Sequence, residues 1–181
     1  ILLSGLAASG KTVFKEPNES RNHTEKMLSS LGANIQSKTL EDGSYKVELG
    51  GNPVLRSSNI NVPCDPSSAA FLVVAAVICP ESKIELKNIM INKGRNGLFE
   101  TLKEMGAKIN IFNKKNNGGE ETASIIAEYS QLKGITVPSK RAPSMIDEYP
   151  ILSIAASCAE GKTVMDGISE LRVKESDRIK I

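Results

Sequence analysis

Tryptophan is absent from this sequence, and its 181 residues hold only three tyrosines, four phenylalanines, one histidine and three cysteines. So few aromatics leave little to stack on bases, and a net charge of +2 leaves no basic footprint for a nucleic acid. His23 alone, with Cys64, Cys79 and Cys158 far apart, offers no ligand set for zinc. The odd, widely spaced cysteines fit reduced thiols, so a cytoplasmic location is expected. A long hydrophobic run is missing too. Ala69 to Cys79 is about half of the ~20 residues that a bilayer span needs. The chain opens at Ile1-Leu2-Leu3 without a basic leader, and no secretory signal is expected. On that reading the N-x-S/T triplets at Asn18 and Asn22 are chance matches.

What is present is ordinary globular composition, 40% apolar and 24% charged, enough for one domain or two small ones. The informative feature is repetition. Small-residue helices are expected at Ile1–Ala8, Phe71–Ala76 and Ile151–Ala156, each followed by a short strand (Gly10-Lys11-Thr12-Val13, Ser82–Leu86, Gly161-Lys162-Thr163-Val164). Second helices are expected within the parallel stretches Glu25–Ile35 and Leu98–Ile109, each ending on a glycine, Gly32 or Gly106, suited to a left-handed cap and followed by a new strand. Strands at Lys46–Leu49 and Ser124–Ala127 close the first two repeats. The period is roughly 70 to 80 residues, too long for a common solenoid. A mixed α/β (α+β) protein of βαβαββ-like units follows, with both ends of the chain falling inside a unit. A linker-like stretch, Asn61–Pro66, separates the first unit from the second, and Asp65 and Pro66 read as the cap and first position of a helix.

Gly5-Leu6-Ala7-Ala8-Ser9-Gly10-Lys11-Thr12 spells the phosphate-loop pattern G-x-x-x-x-G-K-S/T. That chemistry requires a strand before the loop and a helix after it, so that helix amides face the phosphates. Here a helix is expected before the loop, and Val13-Phe14-Lys15-Glu16-Pro17 after it is strand-like with a helix-breaking proline. The spelling therefore marks a helix-to-strand turn.

Three clusters carry possible chemistry. Arg141 to Pro150 sets Asp147 and Glu148 before the third apolar helix, where helix capping is the ordinary explanation. Glu170 to Arg178 packs six charges into nine residues. A helix there would put Lys174 and Arg178 on one face, with a solvated charged face as the ordinary explanation. Ser20-Arg21-Asn22-His23-Thr24-Glu25, at a helix entrance, could grip an anion or simply cap the helix. Arg95 sits in a related loop with no sharper assignment.

These stretches resemble the 5-enolpyruvylshikimate-3-phosphate synthases. Val62–Ala69, Arg141–Pro150 and Leu171–Arg178 follow that family's signatures, and Ser20–Leu28 resembles its bacterial class II branch, known for glyphosate-tolerant members. The resemblance implies an inside-out α/β barrel of βαβαββ units in two lobes, with substrates in the cleft between them. Residues 1–63 would finish one lobe and 64–181 would begin the other, as a unit 64–139 and an incomplete unit 140–181. Asn61–Asp65 would be a lobe-crossing strand.

The activity implied is transfer of the enolpyruvyl group from phosphoenolpyruvate to the 5-hydroxyl of shikimate 3-phosphate, without metal or organic cofactor. By the resemblance Asp147 is the general base, Glu175 the acid that protonates the phosphoenolpyruvate methylene, and Lys174 a shikimate 3-phosphate contact that assists proton transfer. Arg178 binds phosphoenolpyruvate and Arg21 binds shikimate 3-phosphate. No nucleic acid, membrane or partner subunit is implied. Cys64, Asn22 and Lys93-Gly94-Arg95-Asn96 depart from the family's glycine, aspartate and P-T-R-T. The family's other phosphate ligands fall outside the sequence, so these residues alone are expected to hold about half of the active site and to show little or no turnover. The same-fold alternative, a UDP-N-acetylglucosamine enolpyruvyl transferase, usually carries a reactive loop cysteine that nothing here matches. A non-catalytic member of the fold is the other alternative, and Asp147, Lys174, Glu175 and Arg178 speak against it.

Overall fold

The computed structural model describes residues 1–180. They fall into two compact units, Ile1–Val62 with Asn116–Glu120, and Pro63–Lys115 with the chain from Glu121 onward.

In the first unit α1 (Leu2–Gly5) leads into β1 (Lys11–Glu16), α2 (His23–Ser30), β2 (Ile35–Thr39) and β3 (Tyr45–Gly50). The strand order is β1-β3-β2, with β3 antiparallel to both neighbours. Every second residue of β3 is buried, and Val47 and Leu49 are completely so, because a strand's side chains alternate between its faces. Leu28 from α2 and Leu2 from α1 close that small core. α2 stops where its glycine predicted, since Gly32 turns left-handed (φ 98°) and lets the Ala33 amide bond back to the Leu28 carbonyl. The phosphate-loop spelling is indeed a turn between helix α1 and strand β1, and its Lys11 pairs with Glu48 across the sheet at 2.7 Å.

The second unit repeats the layout. α3 (Pro66–Ile78) is followed by β4 (Lys83–Met90), a 3-10 turn at Lys93–Arg95, α4 (Gly97–Glu104), β5 (Lys108–Asn117) and β6 (Glu120–Glu128), in sheet order β4-β6-β5. Gly106 repeats the left-handed stop of Gly32. α3 begins as its sequence dictates. Asp65 accepts the Ser68 amide at 3.0 Å, and Pro66, which has no amide to satisfy, takes the first turn. α3 is apolar on all sides, with Val73, Val74 and Val77 in the core and Phe71 and Leu72 exposed.

The linker was expected to form a strand over Asn61–Asp65, but only Cys64 pairs there, through a single parallel bridge to Ile89. Asn88, at φ 58°, sits in the irregular register between Leu86 and Ile89, and its carbonyl accepts the Cys64 amide at 2.8 Å.

A third, shorter stretch runs through β7 (Thr136–Val137), 3-10 turns at Ser139–Ser144 and Ile146–Glu148, α5 (Tyr149–Ser157), β8 (Val164–Met165) and a 3-10 turn at Ser169–Arg172. β7 and β8 pair in parallel. α5 packs against α3, and α4 lies against the Ser139–Ser144 turn. Leu102, Met145 and Leu152 are wholly buried in the resulting core. No helix among the described residues is long and apolar enough to cross a membrane.

Candidate active site

Asp147 is held in place by its neighbours. Met145, Ile146, Glu148 and Tyr149 are all buried, while Asp147 stays partly exposed, its side chain 28% accessible. The approach to it is pinned at Arg141, whose two terminal nitrogens grip both oxygens of Glu104 at 2.7 and 2.5 Å and whose Nη1 also reaches the Thr101 hydroxyl at 3.0 Å. Such a two-point fork fixes direction as well as distance. The Glu104 hydrogen bonds raise the Arg141 pKa and lower that of Glu104. Burial raises the Tyr149 phenol, against the pull of Arg141.

The second charged cluster arrives by a route that the sequence did not reveal. No helix runs over Glu170–Arg178, so face-sharing at four-residue spacing does not apply. The 3-10 turn Ser169–Arg172 ends and the chain folds back, with the Arg178 amide donating to the Leu171 carbonyl at 2.9 Å. Leu171 anchors the loop in the core, and Arg172 pairs with Asp177 at 3.1 Å. Asp177 also accepts the amides of Ile179 and Lys180, a capping arrangement that satisfies donors at the start of the next turn. Six charges within nine residues pair better with one another and with Asp147 than along a helix face, and this explains the departure.

The fold-back brings four of the five expected site residues together. Lys174 Nζ donates to Asp147 Oδ1 at 2.9 Å, and Arg178 Nη1 donates to the same oxygen at 3.2 Å. Arg178 Nη2 donates to Glu175 Oε2. Two carboxylates and two cations thus form one chain, Lys174–Asp147–Arg178–Glu175. The Glu175 carboxyl is held below the usual range, first by its own backbone amide and then by Arg178. Arg178 in turn is raised, chiefly by Glu175 and also by Asp147. A cluster of two carboxylates and two cations suits an anionic substrate on which a proton must be both delivered and removed.

The fifth residue, Arg21, lies exposed in the first unit, on the loop ahead of α2. Around it Ser20 donates to Glu16 at 2.9 Å, Asn22 donates to Glu19 at 3.4 Å, and His23 Nδ1 lies 2.6 Å from Glu120. α2 begins after Asn22 with no side-chain capping bond, so the capping explanation of this segment is not met. α5 also lacks a side-chain cap, and neither Asp147 nor Glu148 serves it. Glu148 instead accepts a hydrogen bond from the Ser67 hydroxyl. Arg95, which the sequence left unassigned, donates to Asp65 and to Ser67 at 2.7 Å each. Among the described residues no group of three or more His, Cys, Asp or Glu is placed to hold a metal ion.

The described residues thus form a mixed helix-and-strand chain that gathers two carboxylates and two cations at one place. The EPSP synthase (3-phosphoshikimate 1-carboxyvinyltransferase) family model matches residues 1–181, and the chain belongs to that family. A 3-phosphoshikimate 1-carboxyvinyltransferase of Bartonella quintana is 54% identical over 179 residues, 99% of this chain and 40% of that protein. The 2.37 Å structure of EPSP synthase from Acinetobacter baumannii matches with a TM-score of 0.90 at 47% identity, over 99% of this chain and 39% of that one. The enolpyruvyl transferase NikO of Streptomyces tendae, at 19% identity and TM-score 0.64 over 91% of this chain and 37% of that one, shares the fold. The chain spans about 40% of the length of the curated relatives it matches.

Proposed function

We propose that the protein carrying this chain transfers the enolpyruvyl group from phosphoenolpyruvate to the 5-hydroxyl of shikimate 3-phosphate and releases phosphate. The observation that carries the reading is the Lys174–Asp147–Arg178–Glu175 chain of contacts. Glu175 donates a proton to the methylene carbon of phosphoenolpyruvate, which makes the central carbon electrophilic. The 5-hydroxyl attacks that carbon as Asp147 accepts its proton, giving a tetrahedral adduct. Phosphate then leaves, and Glu175 takes a methyl proton back, restoring the double bond in the product. Lys174 steadies shikimate 3-phosphate and eases the proton transfers, Arg178 holds phosphoenolpyruvate, and Arg21 holds the phosphate of shikimate 3-phosphate.

Arg178 has a second consequence. Bonded to Glu175, it adds to the residue's own backbone amide in holding that carboxyl below its usual range. An arriving phosphoenolpyruvate, with its phosphate and carboxylate, competes for the guanidinium and so loosens that part of the hold on Glu175.

The finer architecture belongs to the same reading: two lobes of βαβαββ units in an inside-out α/β barrel, divided near residue 63, acting in the cytoplasm as a single chain. The chemistry as written calls for no metal and no organic cofactor. The test is phosphate release by the full-length protein given both substrates, beside an Asp147→Asn variant. Release that needs both substrates and drops about 10²- to 10⁴-fold in the variant is expected for loss of a general base. Release by the variant at the wild-type rate refutes the role of Asp147. No release from the folded wild type refutes the activity.

A further inference from the structure

Glu148 has no part in the chemistry above, yet it is only 3% exposed. A carboxylate that deep is tolerated only where hydrogen bonds and a nearby cation offset its lost hydration. Glu148 has both. The Ser67 hydroxyl, in the first turn of α3, donates to Glu148 Oε1. Arg95 Nη2 donates to the same Ser67 oxygen at 2.7 Å, and also to Asp65, the cap of α3, at 2.7 Å. The guanidinium is itself mostly buried, its side chain 14% accessible. Three separate segments (the start of α3, the Lys93–Arg95 turn and the Ile146–Glu148 turn) therefore meet at one partly buried polar junction.

The junction sits one residue from Asp147. In a 3-10 turn successive side chains diverge by about 120°, so Glu148 can point into the core while Asp147 points out toward Lys174 and Arg178. We infer that Glu148, tied by Ser67 to Arg95, is a positioning residue that fixes the Ile146–Glu148 turn and thereby aims the Asp147 carboxylate. This inference rests on the reading of Asp147 as the base. Ser67 is the link that can be cut with least disturbance, because its hydroxyl joins the two charged partners and touches no reacting group.

The experiment is steady-state phosphate release by the full-length protein and by Ser67→Ala, Ser67→Thr, Glu148→Gln and Asp147→Asn. Ser67→Ala is expected to lower kcat about 10- to 10²-fold, the scale of a misplaced catalytic group. KM for both substrates is expected to stay within about threefold, because only the transition-state geometry is disturbed. Ser67→Thr, which keeps the hydroxyl, retains kcat. Glu148→Gln, if folded, behaves like Ser67→Ala; if it does not fold, the Ser67 pair decides alone. A folded Ser67→Ala with wild-type kcat, a Ser67→Thr as slow as Ser67→Ala, or losses confined to KM would each overturn the inference. An inactive Asp147→Asn beside unaffected Ser67 variants refutes only the positioning role. An active Asp147→Asn removes the base assignment, and the inference with it.

Discussion

Replacing Asp65 with alanine removes two things at once, and their sizes can be set apart. The first is the α3 cap, in which Asp65 Oδ2 accepts the Ser68 amide and hydroxyl at 3.0 Å each. Losing an aspartate cap costs about 0.5–2 kcal/mol. The second is the Arg95 ion pair at 2.7 Å. The Asp65 side chain is 48% exposed there, so solvent screens the pair and its worth is about 0.2–1 kcal/mol. Burial of Asp65 opposes its charge, but the Ser68 bonds and then Ser67 and Arg95 outweigh it and leave its pKa lowered. Together the losses come to about 1–3 kcal/mol, or about 5- to 150-fold in a local opening equilibrium. Amide hydrogen exchange of the 66–78 segment in the full-length protein reads this directly, since α3 amides exchange through that opening. Asp65→Ala should speed exchange in the first turn within that range. Asp65→Asn caps equally well and should lose only the smaller, ionic part. A first turn in Asp65→Ala protected to within twofold of wild type would refute the capping account, and so would an Asn variant as exposed as the Ala variant.

Three other outcomes follow from particular contacts. A Cβ added at Gly97, the first residue of α4, would lie 2.4 Å from Ser144 Oγ and 3.0 Å from Met145 Cβ, so Gly97→Ala should cost about 1–3 kcal/mol. The strain falls two residues from Asp147, and phosphate release should drop with it while a thermal melt still shows a folded protein. Leu102→Ala empties a fully buried site and should lower unfolding free energy by about 2–5 kcal/mol in urea titration. Glu48 is held near about 2, against 4.5 when free, by hydrogen bonds from Lys11 and then Lys46. Its folded pKa is the lower, so its contribution is whole above pH 4.5 and is lost as pH falls through about 2. Glu48→Gln should flatten the acid side of a stability–pH curve in that window, which circular dichroism across an acid titration would record.

The repeat was legible because it rests on local physics. Alternation in Tyr45–Gly50, the apolar run of α3 and the glycines at 32 and 106 each constrain the backbone within a few residues. They survive folding in register with the expected elements. Asp65 and Pro66 were legible for the same reason, since a cap and a first-turn proline answer to the helix they begin. The phosphate-loop spelling could be refused on order alone, because a loop without a following helix has no aligned amides to offer.

Leu171–Arg178 was illegible by those means, since its shape is decided by partners far away in the chain. Helical spacing predicted that Lys174 and Arg178 share a face, and the two do converge, but through a fold-back that ends on Asp147, 27 and 31 residues earlier. The same separation hid Glu148. From sequence an acidic pair before a helix is a cap, and only the approach of Ser67, 81 residues away, makes one member a buried anchor and leaves the other beside the cations. The two acids therefore differ in surroundings while sharing a turn, and the neighbour's burial is what gives Asp147 its fixed direction. A site of this kind is specified by which charges the core accepts, and hydrophobic periodicity carries no record of that.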